Sequence, residues 1–174
     1  MRVQNHPQAI KVNLGDAAKE SEEEWRNLSF YKSLQRSRGF RISDIAEVAP
    51  YEMMSVEQAF FMRMYLKYEV PFFKMYDLST INGICKALVL KKFAAQEVLF
   101  TVGEPTEHLY VLIEGKLEIF ADNQMTESVA QLNPAAIVGE RAFLNNLKTR
   151  TKLCKAIEPS KCLVLDKESF FTKI

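Results

Sequence analysis

A few residues within a dozen positions have the types and spacing to hold a small anion. Gly139 is followed at once by Glu140, and Arg150 comes ten residues after the glutamate. The run Gly139-Glu140-Arg141-Ala142-Phe143-Leu144 reads as a short helix inserted between two strands. The start of a helix leaves backbone N–H groups without partners. Those donors, with the helix dipole, make a seat for an anion. Gly139 lets the backbone approach a ligand closely. The Glu140 carboxylate can accept a hydrogen bond from a sugar hydroxyl, and the forked Arg150 guanidinium suits phosphate oxygens. Together they describe a site for a small sugar phosphate. Each residue also has a plainer reading. Glu140 can simply stabilise its own helix, and Arg150 can belong with Lys148, Lys152 and Lys155 to a solvated face. In a strand, residues 150 and 152 share one side, so both meet the ligand or both meet water. The sequence leaves that choice open.

Little else could do chemistry. No nucleophile–base pair, metal cluster or P-loop is visible, so the expectation is a protein that is not an enzyme and needs neither metal nor cofactor. His108 falls in a turn and has no partner at metal-ligand or triad spacing; His6 lies in a polar tail. Cys85, Cys154 and Cys162 are odd in number and widely spaced, which argues against a disulfide framework or a zinc site and for free thiols in a reducing compartment.

Composition narrows the class further. The 174 residues suit one domain with an extension, and 48% hydrophobic residues is a globular value. Lys and Arg number 23 against 22 Asp and Glu. A protein that grips nucleic acid by its phosphates shows a basic surplus, so no nucleic-acid partner is expected. The opening MRVQNHPQAIKVNLGD holds no apolar run of signal-peptide length. The apolar run near Ala59–Leu66 is broken by Arg63, and nothing approaches the ~20 residues that span a bilayer. The expected location is cytoplasmic.

The elements that must position the site divide in two. The first ~17 residues are polar and aperiodic, with Pro7 and Gly15 as breakers. A helix is predicted over Ala18–Arg36, acidic at its start and basic at its end, with Trp25, Leu28, Tyr31 and Leu34 as its packing stripe and Gly39 as its stop. Ser43–Val48 suggests a further helical turn. Ser55-Val56-Glu57-Gln58 fits a capping box, opening a helix with Val56, Phe60, Met64 and Tyr68 every four residues and Pro71 at its close. A third helix fits Ser79–Leu88. Beyond Lys92 come short β-rich runs between turn residues: Glu97–Thr101, Leu109–Ile113, Lys116–Ala121, Ser128–Leu132, Thr151–Ile157 and Cys162–Asp166. Close-spaced short strands indicate a sandwich, jelly roll or barrel. The predicted organisation is an N-terminal extension over 1–50, a helical lead-in over 51–92 and a β-roll over 93–174.

At this point the chain resembles a known family. Gly139-Glu140-Arg141-Ala142-Phe143-Leu144 with Arg150-Thr151 and Ala156 is similar to the phosphate-binding cassette of cyclic-nucleotide-binding domains. Glu97–Glu104 and Leu109–Ile119 resemble the family's opening strands with their two turn glycines, Gly103 and Gly115. Val70-Pro71-Phe72-Phe73-Lys74 resembles the segment leading into its first helix. The likeness runs from about Ser55 to the end. It implies an α+β fold, an antiparallel β-roll (double-stranded β-helix, or jelly roll) with N-terminal helices and a short cassette helix. It also implies a regulatory module that reversibly binds cyclic AMP or cyclic GMP and signals to an effector, a protein partner or a domain of the same polypeptide. By that likeness Glu140 holds the ribose 2′-hydroxyl, and Arg150 the cyclic phosphate with backbone N–H groups near Ala142. Gly139 and Arg141 complete the cassette, and Thr151 contacts phosphate or guanine, a tilt toward cyclic GMP.

Several positions depart from the family pattern. Ala135-Ala136 stand where relatives usually carry Gly-Asp. Arg141 replaces an aliphatic residue, and Lys152 a small one. These departures support an alternative, a fold that has lost its ligand and serves as an interaction module. The stretch Asp166–Ile174 resembles the start of the helix after the last strand, so the family's lid helix is expected beyond Ile174, as is the effector.

Overall fold

A computed structural model describes residues 14–173; the expected polar tail, with His6 and Pro7, lies outside the described residues. Four helices come first: α1 (Leu14–Arg38), α2 (Ile42–Ile45), α3 (Val56–Glu69) and α4 (Leu78–Ala87). Then follow β1 (Val89–Phe93), β2 (Val98–Phe100), β3 (His108–Glu114), β4 (Leu117–Phe120), β5 (Ser128–Leu132) and β6 (Ile137–Val138). The chain closes with α5 (Glu140–Leu144), β7 (Leu153–Ala156), β8 (Ser160–Asp166) and α6 (Lys167–Lys173).

Local chemistry sets the helix ends. The Gln58 amide donates to Ser55 Oγ at 3.2 Å while the Ser55 amide donates to Gln58 Oε1 at 2.9 Å, which closes the capping box and stabilises α3 by about 1 kcal/mol. Asp77 caps α4 by accepting from the Thr80 amide at 2.7 Å. Gly39 ends α1 at φ +63°. Helix α1 begins at Leu14, four residues before the predicted start, and runs through Gly15. It packs antiparallel on α3, with Tyr31 against Phe61 at 4.8 Å and Phe30 against Phe60 at 5.1 Å. The predicted stripes are half right. Tyr31 and Leu34 are buried, but Trp25 is 68% exposed; Met64 is buried, but Val56 is 86% exposed.

The strands form two antiparallel four-stranded sheets, β1-β8-β3-β6 and β2-β7-β4-β5. Between them lies an apolar core of Phe93, Tyr110, Leu112 and Cys162 from the first sheet with Phe100, Leu117, Cys154 and Ala156 from the second. The first sheet is covered on its other side as well. Leu109, Val111 and Ile113 of β3 with Leu163 and Leu165 of β8 pack against Tyr31, Phe61, Leu66 and Ile84 of the helices. Alternate β3 side chains thus enter opposite cores, which is why Leu109–Ile113 is apolar throughout. Burial pushes the thiols of Cys85, Cys154 and Cys162 up to about 12. An ion-pair bridge joins the two regions: Glu47 accepts from Lys92 on β1 at 2.8 Å and Lys161 on β8 at 3.2 Å, and Lys161 also reaches Glu114 at 3.2 Å.

Two strands were not predicted. β1 pairs along its length with β8, Val89 opposite Val164 and Phe93 opposite Ser160, so sheet structure begins four residues before the expected boundary at 93. It lies at the sheet edge and exposes Val89, Lys91 and Lys92, which blurs its alternation. β6 has two residues, Ile137 and Val138, too few to show a period.

Candidate ligand-binding site

Pairing of β6 with β3, Val138 opposite Tyr110, brings the chain to Gly139 beside the start of β3. Gly139 sits at φ +95° as the N-cap of α5, a conformation side chains disfavour. Space forbids one too. A Cβ there would lie 2.5 Å from Arg150 Nη1 and 3.0 Å from the His108 carbonyl oxygen. Gly139 is needed for its backbone and for the guanidinium that fills the place of its side chain.

Arg150 is 4% exposed. Its backbone is held between strands: its amide donates to the Glu104 carbonyl at 2.7 Å and its carbonyl accepts from the Gly103 amide at 2.9 Å. The guanidinium stacks over Phe100 at 4.2 Å, with Tyr110 at 6.0 Å. Nη2 donates to the His108 carbonyl, but Nε and Nη1 are buried without partners. Buried donors are almost always satisfied, so two unmet donors on a cation mark a place where an acceptor belongs. Burial pulls the guanidinium below its ordinary pKa, against the opposing pull of Tyr110 and Glu104; arginine stays charged regardless.

β7 starts at Leu153, so the predicted strand start at Thr151 is two residues early and residues 150–152 are not extended sheet. Arg150 is buried while Thr151 and Lys152 are exposed.

Gly139, Glu140, Arg141, Ala142, Arg150, Thr151 and Lys152 all line one cavity of about 240 Å³. Its remaining wall is apolar, from Phe100 of β2, Ile119 of β4, Val129 and Leu132 of β5, and Val138 of β6. The Glu140 side chain is 24% exposed and lies 4.0 Å from Arg141 Nε, while the Arg141 side chain is 91% exposed. Arg141 therefore extends into solvent rather than filling the cavity. The cavity thus offers one buried cation, one carboxylate acceptor, the opening amides of α5 and an apolar wall.

Ala135 bears on the departures from the family pattern. It lies at φ +73°, where an L-residue costs roughly 1–2 kcal/mol. Its amide donates to the Leu112 carbonyl at 2.8 Å, and the Ala136 carbonyl accepts from the Leu112 amide at 2.9 Å. The turn glycine of the pattern is absent, and Ala135 itself takes the left-handed backbone that glycine favours.

The supporting shell was invisible in the sequence. Phe100 and Tyr110 beneath the guanidinium, and the carbonyl of His108, reach Arg150 only through strand pairing. At the far end of α5, Phe143 is fully buried and meets Phe170 of α6 at 5.8 Å. Phe170 in turn meets Phe72 at 5.9 Å and Tyr76 at 6.5 Å. The helix that opens on the cavity is thereby packed into the helical layer.

Fold and site together define a β-roll carrying a buried arginine at a short inter-strand helix. Residues 90–174 match the family model of the cyclic nucleotide-binding domain. The mouse cGMP-dependent protein kinase 2 is 33% identical over 99 residues, 57% of this chain and 12% of that protein. Among solved structures, the regulatory domain of Toxoplasma gondii PKA with cAMP superposes with a TM-score of 0.57 at 20% identity, covering 64% of this chain and 43% of that one. A regulatory subunit of a cAMP-independent protein kinase A from Trypanosoma cruzi, bound to guanosine, gives 0.57 at 21% identity, covering 75% and 42%. These likenesses to solved structures are likenesses of fold. The chain spans only a small part of the kinase it matches. No helix among the described residues is long and apolar enough to cross a membrane.

Proposed function

We propose that the chain carries a regulatory module that reversibly binds a cyclic nucleotide, without catalysis, and transmits occupancy to an effector. The observation that carries this reading is Arg150: a buried guanidinium on an aromatic platform, with Nε and Nη1 unpartnered, beside the cassette glycine. The cyclic phosphate supplies the acceptor those nitrogens lack, and the amides at Ala142 add donors. Glu140 accepts from the ribose 2′-hydroxyl. Thr151 stands at the mouth of the cavity, and Arg141 holds its guanidinium near Glu140 from the solvent side. The apolar wall of Ile119, Val129 and Leu132 receives the base. Roll and helical lead-in act as one unit, with the roll beginning at β1 rather than at residue 93, in a cytoplasmic protein whose effector is a further domain or a protein partner.

Transmission follows from packing. A ligand that draws α5 toward the phosphate moves Phe143, and with it Phe170, Phe72 and Tyr76. A ligand shifts such an equilibrium only by its difference in affinity for the two arrangements. Thermal melts test the binding step. Cyclic nucleotide at a hundred times its Kd adds about 2.7 kcal/mol, raising the melting midpoint by about 5–10 °C for a chain of this size. An unmoved midpoint with cyclic AMP and with cyclic GMP contradicts the proposal.

A further inference from the structure

Lys152 stands at the mouth of the cavity with nothing to bind. It lines the cavity, its side chain is exposed, and among the described residues it has no hydrogen bond, ion pair or ring contact. Two neighbouring cations are engaged. Arg141 lies by Glu140 at 4.0 Å, and Lys155 donates to Gln96 at 2.9 Å and sits 5.4 Å from the Phe120 ring centre. Lys152 also stands at a telling depth. Two residues carry the chain from buried Arg150, at the anion seat, out to exposed Lys152, a span of at most ~7 Å. Ile119, Val129 and Leu132 line the same cavity as Arg150 and Lys152, so a ligand whose anionic end is fixed at Arg150 and whose body lies on that apolar wall stays within reach of the Lys152 side chain.

An ammonium group donates three hydrogen bonds and accepts none. It therefore sorts purines by their acceptors. Guanine offers O6 and N7, both acceptors, whereas adenine replaces O6 by an N6 amino donor that faces a lysine unfavourably. We propose that Lys152 reads the edge of the bound base and biases this cavity toward a guanine-bearing cyclic nucleotide. This assignment rests on the cavity being a cyclic-nucleotide site, as argued above, and adds a specificity residue to it.

The test is calorimetric titration of the full chain with cyclic GMP and cyclic AMP, as wild type, Lys152→Ala and Lys152→Gln. Lys152 is exposed, so neither substitution disturbs the core. Wild type should prefer cyclic GMP. Lys152→Ala should weaken cyclic GMP about fivefold, the scale of an exposed charged contact, and leave cyclic AMP unchanged. Lys152→Gln should move the ratio toward cyclic AMP, because a carboxamide pairs with adenine N6 and N7. Equal weakening of both nucleotides by Lys152→Ala would show general attraction of charge and overturn the assignment, as would no change in either. Wild type that binds neither nucleotide overturns the site itself, an outcome distinct from loss of the preference alone.

Discussion

Replacing Arg150 by methionine should separate binding from folding. The Arg150 guanidinium is 4% exposed and lacks partners at Nε and Nη1. Against it count two unmet donors at about 1–3 kcal/mol each. In its favour are a charge-assisted hydrogen bond to the His108 carbonyl, about 1.5–3 kcal/mol, and its stacking on Phe100, about 0.5–2 kcal/mol. These sums nearly cancel. Methionine keeps much of the volume and places sulfur by the ring. The melting midpoint of Arg150→Met should stay within about 3 °C of wild type, or rise. Binding should behave otherwise, since losing one partner of a buried charge pair costs about 2–5 kcal/mol, or about thirty- to four-thousand-fold in Kd. The assay is a melt of the ligand-free protein beside calorimetric titration. A fall of more than about 10 °C would refute the reasoning, because it makes Arg150 a structural cation; so would unchanged affinity.

Other perturbations follow from the same geometry. Gly139→Ala meets both a positive φ and the Arg150 guanidinium, so titration should show at least about a tenfold loss of affinity. Gly115→Ala is its control: a Cβ there would lie 2.5 Å from the Pro159 carbonyl oxygen, away from the cavity, so the melt should fall while the affinity of the folded protein holds. Ala135→Gly should stabilise by about 0.5–1 kcal/mol, the relief of left-handed strain less the added freedom of the unfolded chain; a lowered midpoint would contradict this. Lys92 and Lys161 hold the Glu47 carboxyl below its ordinary 4.5. A carboxyl whose folded pKa is depressed adds stability that is complete above the unfolded value and is lost as pH falls through the folded one. Glu47→Gln should therefore flatten the drop in melting midpoint below about pH 4.5, and added salt should act alike; parallel pH profiles for variant and wild type would count against the bridge.

The sequence was most legible where local chemistry decides structure. The Ser55–Gln58 capping box, the stop at Gly39 and the break at Pro71 lie where their residue types require. The short helix after Gly139 was legible for the same reason, and its glycine and arginine line one cavity. What stayed hidden was tertiary. The edge strand β1 has no alternation to betray it. The depth of Arg150 against Lys152 depends on β7 starting at Leu153, a boundary set by pairing with β4, Phe120 opposite Leu153. Phe100 and Tyr110 looked like ordinary core residues until the two sheets closed over the guanidinium. The family likeness supplied roles for Glu140 and Arg150 that spacing alone left open.

The central claim is that the cavity holds a cyclic nucleotide by its phosphate. The most direct measurement is calorimetric titration of the chain with cyclic AMP and cyclic GMP, repeated on Arg150→Met. Saturable binding of at least one nucleotide at one site per chain, lost in a variant that melts like wild type, is the expected result. Absence of heat with both nucleotides, or binding that survives the loss of Arg150, would contradict it.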